Sequence, residues 1–462
     1  MRTDRLARLR TGEKLTLADS ICLIVTLSMP AIMAQISSVI MEYIDASMVG
    51  RLGPNESASI GLVSSSTWLM GGILSAAVTG FTVQVAQKIG AGRDREARDI
   101  MKHAFVFAIG ISVLVAAVGA AVSGVLPVFL GGGGDIRGDA GVYFLIYSLS
   151  LPAVQLCSLS GGMLQASGNM RLPGLLNVMM CALDVVFNFL FIFPTGEYFG
   201  ITVPGAGLGV AGAALGTAVS HAVTAVIMTY CLLKKSPVMS LRRGERCRFA
   251  PEYIRRGVRI GAPVAAEQFI MCAAYIAATK IVSPLGNVAI AANSFAVTAE
   301  SLCYMPGFGI GAAASTLIGQ SIGARREDLT RRLSWMCTMF GMAVMTVTGV
   351  LMFFAAPYMI GFLSPDARVV ELGARVLRIE AFAEPLYGAA IVASGVFRGA
   401  GDTLASGVMN LFSMWAVRIP LSLILVSRYG LVGVWVAMCI ELCFRGTVFL
   451  VRLYLKSRKS EK

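Results

Sequence analysis

Two short polar series interrupt otherwise apolar sequence. Gln35, Ser38, Glu42 and Asp45 are spaced by three, four and three residues. Asn177, Cys181, Asp184 and Asn188 are spaced by four, three and four. On a helix, each series falls on one face. Carboxylates and carboxamides on two such faces could hold a proton reversibly or coordinate a hard cation such as sodium through oxygen. The setting is costly: both series lie in runs long enough to cross a bilayer, where an ionisable residue costs about 2.5–3.5 kcal/mol on insertion scales. Asp184 sits near the middle of its run, far from any aqueous boundary. Glu42 and Asp45 sit in the last part of theirs, within MEYIDASMVGRLG (41–53). For them, plain solvation at the headgroup level stands as an alternative. Pro30, earlier in the same run, marks a bend that could act as a hinge.

A further set of acids occupies apolar sequence in the second half: Glu267, Glu300, Glu380 and Glu384. Glu380, Glu384 and Tyr387 share a face of one expected helix. With Glu42, this group would attract a positively charged solute into a cavity. Arg418 could instead neutralise one of these acids. Glu441 and Arg445, four residues apart, read as a mutual structural pair.

Other motifs carry less. Gly207-Leu-Gly209-Val-Ala-Gly212 matches GxGxxG but lacks the strand–turn–helix context and downstream acid of a dinucleotide site, so helix packing explains it better. The chain has two histidines, His103 and His221, with no partner cysteine, second histidine or HExxH frame nearby. Nine of the ten cysteines lie inside apolar runs, and none has metal-ligand spacing, as small packing residues would show.

The elements that must position the polar series follow from composition. Of 462 residues, 56% are hydrophobic and 14% charged, with mean hydropathy +0.74. Soluble proteins carry about 25% charged residues, so this is the balance of a polytopic membrane protein. Twelve apolar runs lie near 19–48, 58–86, 103–129, 140–165, 172–194, 207–233, 258–282, 289–320, 333–355, 371–397, 404–427 and 431–454. Helices are expected for all of them, because each satisfies its own backbone in lipid. The expected fold class is therefore an all-α polytopic membrane protein of twelve transmembrane helices.

The net charge of +13 is not the mark of a nucleic-acid partner, because its cations cluster in short loops. Thirty Lys and Arg fall on the side that holds both termini, and six on the other. The positive-inside rule makes the richer side cytoplasmic. The basic amino-terminal stretch leads into a run too long for a cleavable signal and reads as a retained anchor.

A shift of 233 residues aligns Pro30 with Pro263, Gln35 with Gln268, and Leu52-Gly53 with Leu285-Gly286. It also aligns Gln87, Ile89, Gly90, Ala91 and Arg93 with Gln320, Ile322, Gly323, Ala324 and Arg326. Pro152, Gly168 and Asn177 align with Pro385, Gly401 and Asn410. The offset breaks after Phe193, where the first half carries about a dozen extra residues before VAGAALG, the counterpart of LVGVWVA from Leu431. The chain thus reads as two parallel six-helix bundles around a central cavity, 1–233 and 258–462, joined by a cytoplasmic basic linker, 234–257. Secondary transporters recur to such repeats and rock one bundle against the other. The carboxylates of the two polar series are not duplicated: Glu42 maps to Tyr275, Asp45 to Ala278 and Asp184 to Val417.

Taken together, IDASMVGRLG, QKIGAGR, LQASGNMRLP, DVVFNFLFIFP, GQSIGARR and FRGAGDT, in this order and within this duplicated frame, resemble the multidrug and toxic compound extrusion family. The resemblance covers nearly the whole chain. It implies a multi-pass protein of the inner (plasma) membrane with both termini cytoplasmic. It also implies export of small organic cations and drugs, coupled to inward flow of Na+ or H+. No cofactor, nucleic acid or metal beyond a coupling Na+ is expected, and lipid contact and a monomeric state are. Asp45 matches the first-helix aspartate that the family's prokaryotic branch uses for coupling. The fifth-helix N-x-x-x-D of that branch stands here reversed, as Asp184-Val-Val-Phe-Asn188. The expected coupling set is Asp45, Asp184, Asn188, Asn177 and Gln35. A lipid-linked oligosaccharide flippase of the same superfamily would be expected to show a more cationic cavity. A membrane-embedded enzyme would need a nucleophile–base or metal set, and none is recognisable.

Overall fold

The structure, a computed structural model, describes residue 8 and residues 15–198, 201–242, 245 and 250–459. Arg2, Arg5, Arg10 and Lys14 of the amino-terminal basic cluster lie outside the described residues. So do Arg243, Arg246 and Arg248 of the linker, and Lys462.

The long helices are α1 (Leu17–Gly50), α2 (Pro54–Gly90), α3 (Asp94–Val122), α4 (Gly134–Ala166), α5 (Arg171–Ile192) and α6 (Gly209–Tyr230). They continue as α7 (Pro251–Val282), α8 (Asn287–Gly323), α9 (Glu327–Leu363), α10 (Ala367–Glu380), α11 (Glu384–Gly399), α12 (Thr403–Phe412) and α13 (Ile419–Lys459). Ten helical stretches among the described residues are long and apolar enough to cross a membrane. The last of them, Thr403–Arg458, makes two crossings, because Gly430 (φ 57, ψ −137) leaves helical geometry in its middle. Helices α10 and α11 together supply one more, so twelve segments cross the membrane. Outward-facing apolar residues such as Val106, Leu114, Phe354 and Phe362 are exposed and meet lipid.

Two departures from expectation have local causes. The tenth segment is not one helix: it breaks at residues 381–383, between Glu380 and Glu384. Pro385 has no amide to continue the ladder, and the chain tightens there, with Ala383 N donating to Glu380 O at 2.8 Å. The extra residues after Phe193 are also not helical. They form an antiparallel hairpin, β1 (Pro194–Tyr198) and β2 (Ile201–Ala206), inserted between α5 and α6.

Duplication is visible in the backbone itself. Left-handed or positive-φ turns occur in pairs: Gly53 with Gly286, Gly92 with Arg325, and Gly168 with Gly401, each 233 residues apart. Past the hairpin, Gly209 pairs with Gly430 at an offset of 221. The lost dozen residues are the hairpin insertion.

By proximity the chain divides into two compact units. The amino unit holds Ser37–Val85 and Arg93–Ala265. The carboxyl unit holds Met1–Ile36, Ala86–Gly92 and Ala266–Lys462. Within the carboxyl unit, small residues let backbones touch, as lipid-embedded helices require. A Cβ at Gly395 would lie 2.3 Å from Gly311 O, and one at Gly399 2.4 Å from Ser315 O. These Gly-x-x-x-Gly contacts dock α11 on α8. The ends of α2 and α8 meet reciprocally: a Cβ at Gly90 would strike Gln320 O at 2.0 Å, and one at Gly323 would strike Gln87 O at 1.9 Å. Since Gln87/Gln320 and Gly90/Gly323 are repeat equivalents, each copy of the QxIGA motif seats its glycine on the other's carbonyl. Trp435, fully buried, donates to Asn293 Oδ1 at 3.0 Å and anchors α13 on α8.

Candidate cation site

In the amino unit, α1 and α5 run in parallel and place their polar series in register. Asn188 Nδ2 donates one proton to Asp45 Oδ1 at 2.8 Å and the other to Asp184 Oδ2 at 2.9 Å. Two turns away, Ser38 and Cys181 share a hydrogen bond. Both pairs are separated by 143 positions, as two parallel helices with matched seven-residue steps demand. Asp184 is fully buried and Asn188 nearly so.

Helix α6 completes the cluster. Ser220 Oγ donates to Asp184 Oδ1 at 3.0 Å. Gly216 allows α6 to approach, since a Cβ there would lie 2.0 Å from Asn188 Oδ1. Gly212, one turn earlier, sits against the Phe191 backbone in the same way. The Gly212–Gly216 motif is therefore a packing surface, as its composition indicated. Gly212, Gly216 and Ser220 form one small-residue stripe at steps of four. That spacing was the signal by which Ser220 and Gly216 could have been found.

Two carboxylates thus share one amide, and Asn188 Oδ1 remains buried with no hydrogen-bond partner. Two carboxylates this close, Asp184 fully buried and Asp45 half-buried, are unfavourable if both are charged. The arrangement suits a proton on one acid, or a hard monovalent cation held by carboxylate, amide and hydroxyl oxygens. The Asn188 oxygen lies on the Gly216 side, away from the two acids, and joins such a cation only if the amide turns over.

Not every expected member joins. Asn177 lies two turns from Asp184 on α5 and makes no hydrogen bond to the cluster. Gln35 and Pro30 belong to the carboxyl unit, and α1 runs through Pro30 without a break. Glu42 is exposed on α1 and apart from the Asp45–Asn188 contact.

In the carboxyl unit, Glu380 and Glu384 are fully buried, and none of their four carboxyl oxygens has a hydrogen-bond partner. They flank the break between α10 and α11. Glu300 on α8 is also buried. Arg418 forms no ion pair with any of the three among the described residues; its guanidinium reaches Met438 Sδ instead. Arg445 and Glu441 do pair, at 2.6 Å, with Ser413 also donating to Glu441. Tyr387 stacks edge-on against Tyr304 at 5.7 Å and lies under Arg445. Glu267 accepts from Asn410 Nδ2 at 2.6 Å. That acid–amide pair also spans 143 positions. The seventh and eleventh segments therefore keep the interhelical register of α1 and α5. Subtracting the repeat offset places Glu267 at position 34, eleven residues before Asp45, or about 16 Å along the helix.

The family profile described as MatE matches residues 30–190 and 263–424, two stretches whose starts differ by the repeat offset. A protein of Thermotoga maritima named "Probable multidrug resistance protein NorM" is 25% identical over 95% of this chain and 93% of its own length. One of the same name from Xanthomonas axonopodis is 25% identical over 94% and 93%. Among solved structures, a MATE protein in complex with MaL6 superposes with a TM-score of 0.88 at 19% identity, over 95% of this chain and 96% of that one. A MOP superfamily transporter from Pyrococcus furiosus gives 0.87 at 20% identity, with the same coverage. Parallel duplicated six-helix halves, paired turns at a 233-residue offset and a profile match across both halves lead to one conclusion: the chain belongs to the MatE family of multidrug and toxic compound extrusion transporters.

Proposed function

We propose that this chain exports amphipathic, cationic organic compounds by antiport against inward Na+ or H+, through alternating access and without catalysing a reaction. Its setting is the inner (plasma) membrane with both termini cytoplasmic, in keeping with the cation-rich loops. The observation that carries the reading is the Asp45–Asn188–Asp184–Ser220 cluster with its orphaned amide oxygen. A coupling ion entering there is taken by Asp45 and Asp184. Asn188 then turns from bridging two anions to contributing its oxygen to the ion. Because Asp45 rides on α1, loading changes what holds that helix against α5 and α6, and a bend at Pro30 passes the change along the helix. Glu300, Glu380 and Glu384 supply negative charge for an organic cation, and the aromatic pair Tyr304–Tyr387 supplies a face for it. The chain acts as a monomer in lipid and needs no cofactor.

Dye efflux from cells lacking other pumps tests the first claim, and proteoliposomes under separate Na+ and pH gradients identify the ion. Asp45→Asn keeps size and hydrogen bonding but removes the charge. Transport should fall to background with the protein still folded. Efflux with an unaltered ion dependence in Asp45→Asn would sink the coupling assignment.

A further inference from the structure

In the carboxyl unit, a cavity of about 480 Å³ opens where α8 ends and α9 begins, beside the ends of α11 and α13. Ile318, Val396, Phe397 and Leu453 give it an apolar floor. Arg325, Arg326, Arg331 and Lys456 line it with one acid among the described lining residues, Glu327. Of these cations, Lys456 also pairs with Asp402 at 3.4 Å and Arg326 donates to Arg8 O at 3.4 Å. Four cations above an apolar floor, at the boundary where helices leave lipid, match the two halves of an anionic amphiphile.

Two further observations point the same way. The first is backbone. Arg325 is the only residue besides glycine with positive φ among the described residues, at 56°. Its repeat equivalent is Gly92, at φ 70° in the same turn, with the same hydrogen bond from the third residue before: Gly92 N to Ile89 O, and Arg325 N to Ile322 O, both 3.0 Å. The second copy thus keeps a side chain where the first has glycine, at a steric cost, and that side chain lines the cavity. Arg325 has no hydrogen-bond or ion-pair partner among the described residues. A strained residue kept at a cavity mouth is a mark of use rather than of packing.

The second observation is what the first copy does with the matching niche. Arg98, the equivalent of Arg331, is buried and held by the linker: its Nε donates to Glu245 Oε2 at 2.9 Å and its Nη1 to Val238 O at 2.9 Å. Met239, next along, is fully buried. There the chain itself supplies an anion joined to an apolar group.

We propose that the carboxyl-unit cavity binds a phosphate-bearing anion, namely the headgroup of an anionic phospholipid from the leaflet at the basic face, with its glycerol and first methylenes on the apolar floor. Arg325 recognises the phosphate. This is a lipid site separate from the cation cluster, and it holds whichever ion drives transport.

The test uses the full-length protein, delipidated in detergent and offered equal phosphatidylglycerol and phosphatidylcholine, with bound lipid read by native mass spectrometry. Wild type should retain phosphatidylglycerol several-fold over phosphatidylcholine. Arg325→Gly, which relaxes the turn to the geometry of Gly92, should fold normally and lose about fivefold of that preference, as one cation near a headgroup contributes. Arg325→Lys should keep most of it. Equal retention of the two lipids, or an Arg325→Gly protein with undiminished preference, overturns the proposal. Glycerol 3-phosphate binding as well as the lipid would assign the cavity to a soluble phosphate ester and overturn the lipid assignment. Selectivity appearing only after residues 460–462 are removed would assign the cavity to the chain's own end, with the same consequence.

Discussion

Gly216→Ala adds one methyl group, and the structure specifies what it meets. The new Cβ would lie 2.0 Å from Asn188 Oδ1, 2.9 Å from its Cγ and 2.8 Å from its backbone nitrogen. The amide cannot stay between Asp45 and Asp184. Its two hydrogen bonds go to acidic side chains, and bonds to charged groups contribute about 1.5–3 kcal/mol each. Losing both costs about 3–6 kcal/mol, and strain against the Asn188 nitrogen adds roughly 1 more. Replacing glycine by alanine within a helix returns about 1 kcal/mol. The net expectation is a loss of about 3–6 kcal/mol. Asn188→Ala alone removes the same two bonds and costs a similar amount. In the double variant the methyl meets no amide, so the two costs do not add. The double variant should be no more than about 1–2 kcal/mol worse than either single, a coupling of at least about 1 kcal/mol. Thermal melting of the detergent-solubilised protein, with and without Na+, measures each corner of the cycle. Stabilisation by the coupling ion should be lost in all three variants. Additive costs, or Gly216→Ala retaining wild-type ion stabilisation, would show that α6 does not set the position of Asn188.

Three other outcomes follow from contacts outside this cluster. Gly90→Ala and Gly323→Ala each drive a methyl into a backbone carbonyl that cannot rotate away, so each should lower stability by about 1–3 kcal/mol, read as a lower melting midpoint and reduced yield of folded protein. Removing Glu245 by Glu245→Ala leaves Arg98 without its carboxylate and should release the linker, seen as faster hydrogen exchange over 236–242, at a cost of about 1–3 kcal/mol. The pH dependence of that clasp has a definite sign. The hydrogen bond and charge of Arg98 hold the Glu245 carboxyl below its usual range. Asp402 is also held low: burial opposes this, but the Arg452 hydrogen bond and the charges of Lys456 and Arg452 outweigh it. Both clasps therefore contribute fully above the ordinary carboxylate pKa of about 4 and fail as pH falls through the lower folded values, with no change on the alkaline side. Exchange over 236–242 that loosens between pH 6 and 8 instead would contradict the Glu245 pairing.

How much of this was legible in sequence depended on whether the signal was local. Spans, charge bias and duplication are one-dimensional patterns, and the 233-residue offset reappears in paired backbone turns. The meeting of Asp45 with Asn188 was foreshadowed by two polar faces, but the register between them is tertiary. Ser220 and Gly216 were hidden because a serine and a glycine in an apolar helix look like packing residues until a carboxylate is found beside them. Asn177 shows the reverse failure: it shares the face of Asp184 yet lies two turns from the cluster, and periodicity cannot say where along a stripe the partner helix ends. The break between Glu380 and Glu384 had a local sign in Pro385, but Pro152 occupies the equivalent place in α4 without breaking it. A proline alone therefore did not decide the matter.

The two copies share a frame but have diverged in what they place on it. Each packs its first and fifth segments with acid and amide 143 positions apart, yet the first copy puts the pair at Asp45–Asn188 and the second at Glu267–Asn410, about 16 Å away along the repeat. The first pair gains a second carboxylate, Asp184, and with it a need for a counter-charge that no ion pair among the described residues supplies. The second pair has one acid satisfied by one amide. The niche at the helix ends has divided the other way. In the first copy Arg98 is closed off by the chain's own Glu245, and the glycine turn carries no side chain. In the second, an arginine is kept in a left-handed turn at a cost of about 1–2 kcal/mol. A strain of that size persists only where something bound repays it or where the turn cannot relax. Arg325→Gly separates these cases, since it should raise the melting midpoint of lipid-free protein while reducing the stabilisation that phosphatidylglycerol adds. A lower midpoint without lipid would mean the arginine is structural, and the asymmetry would then lie in the cation cluster alone.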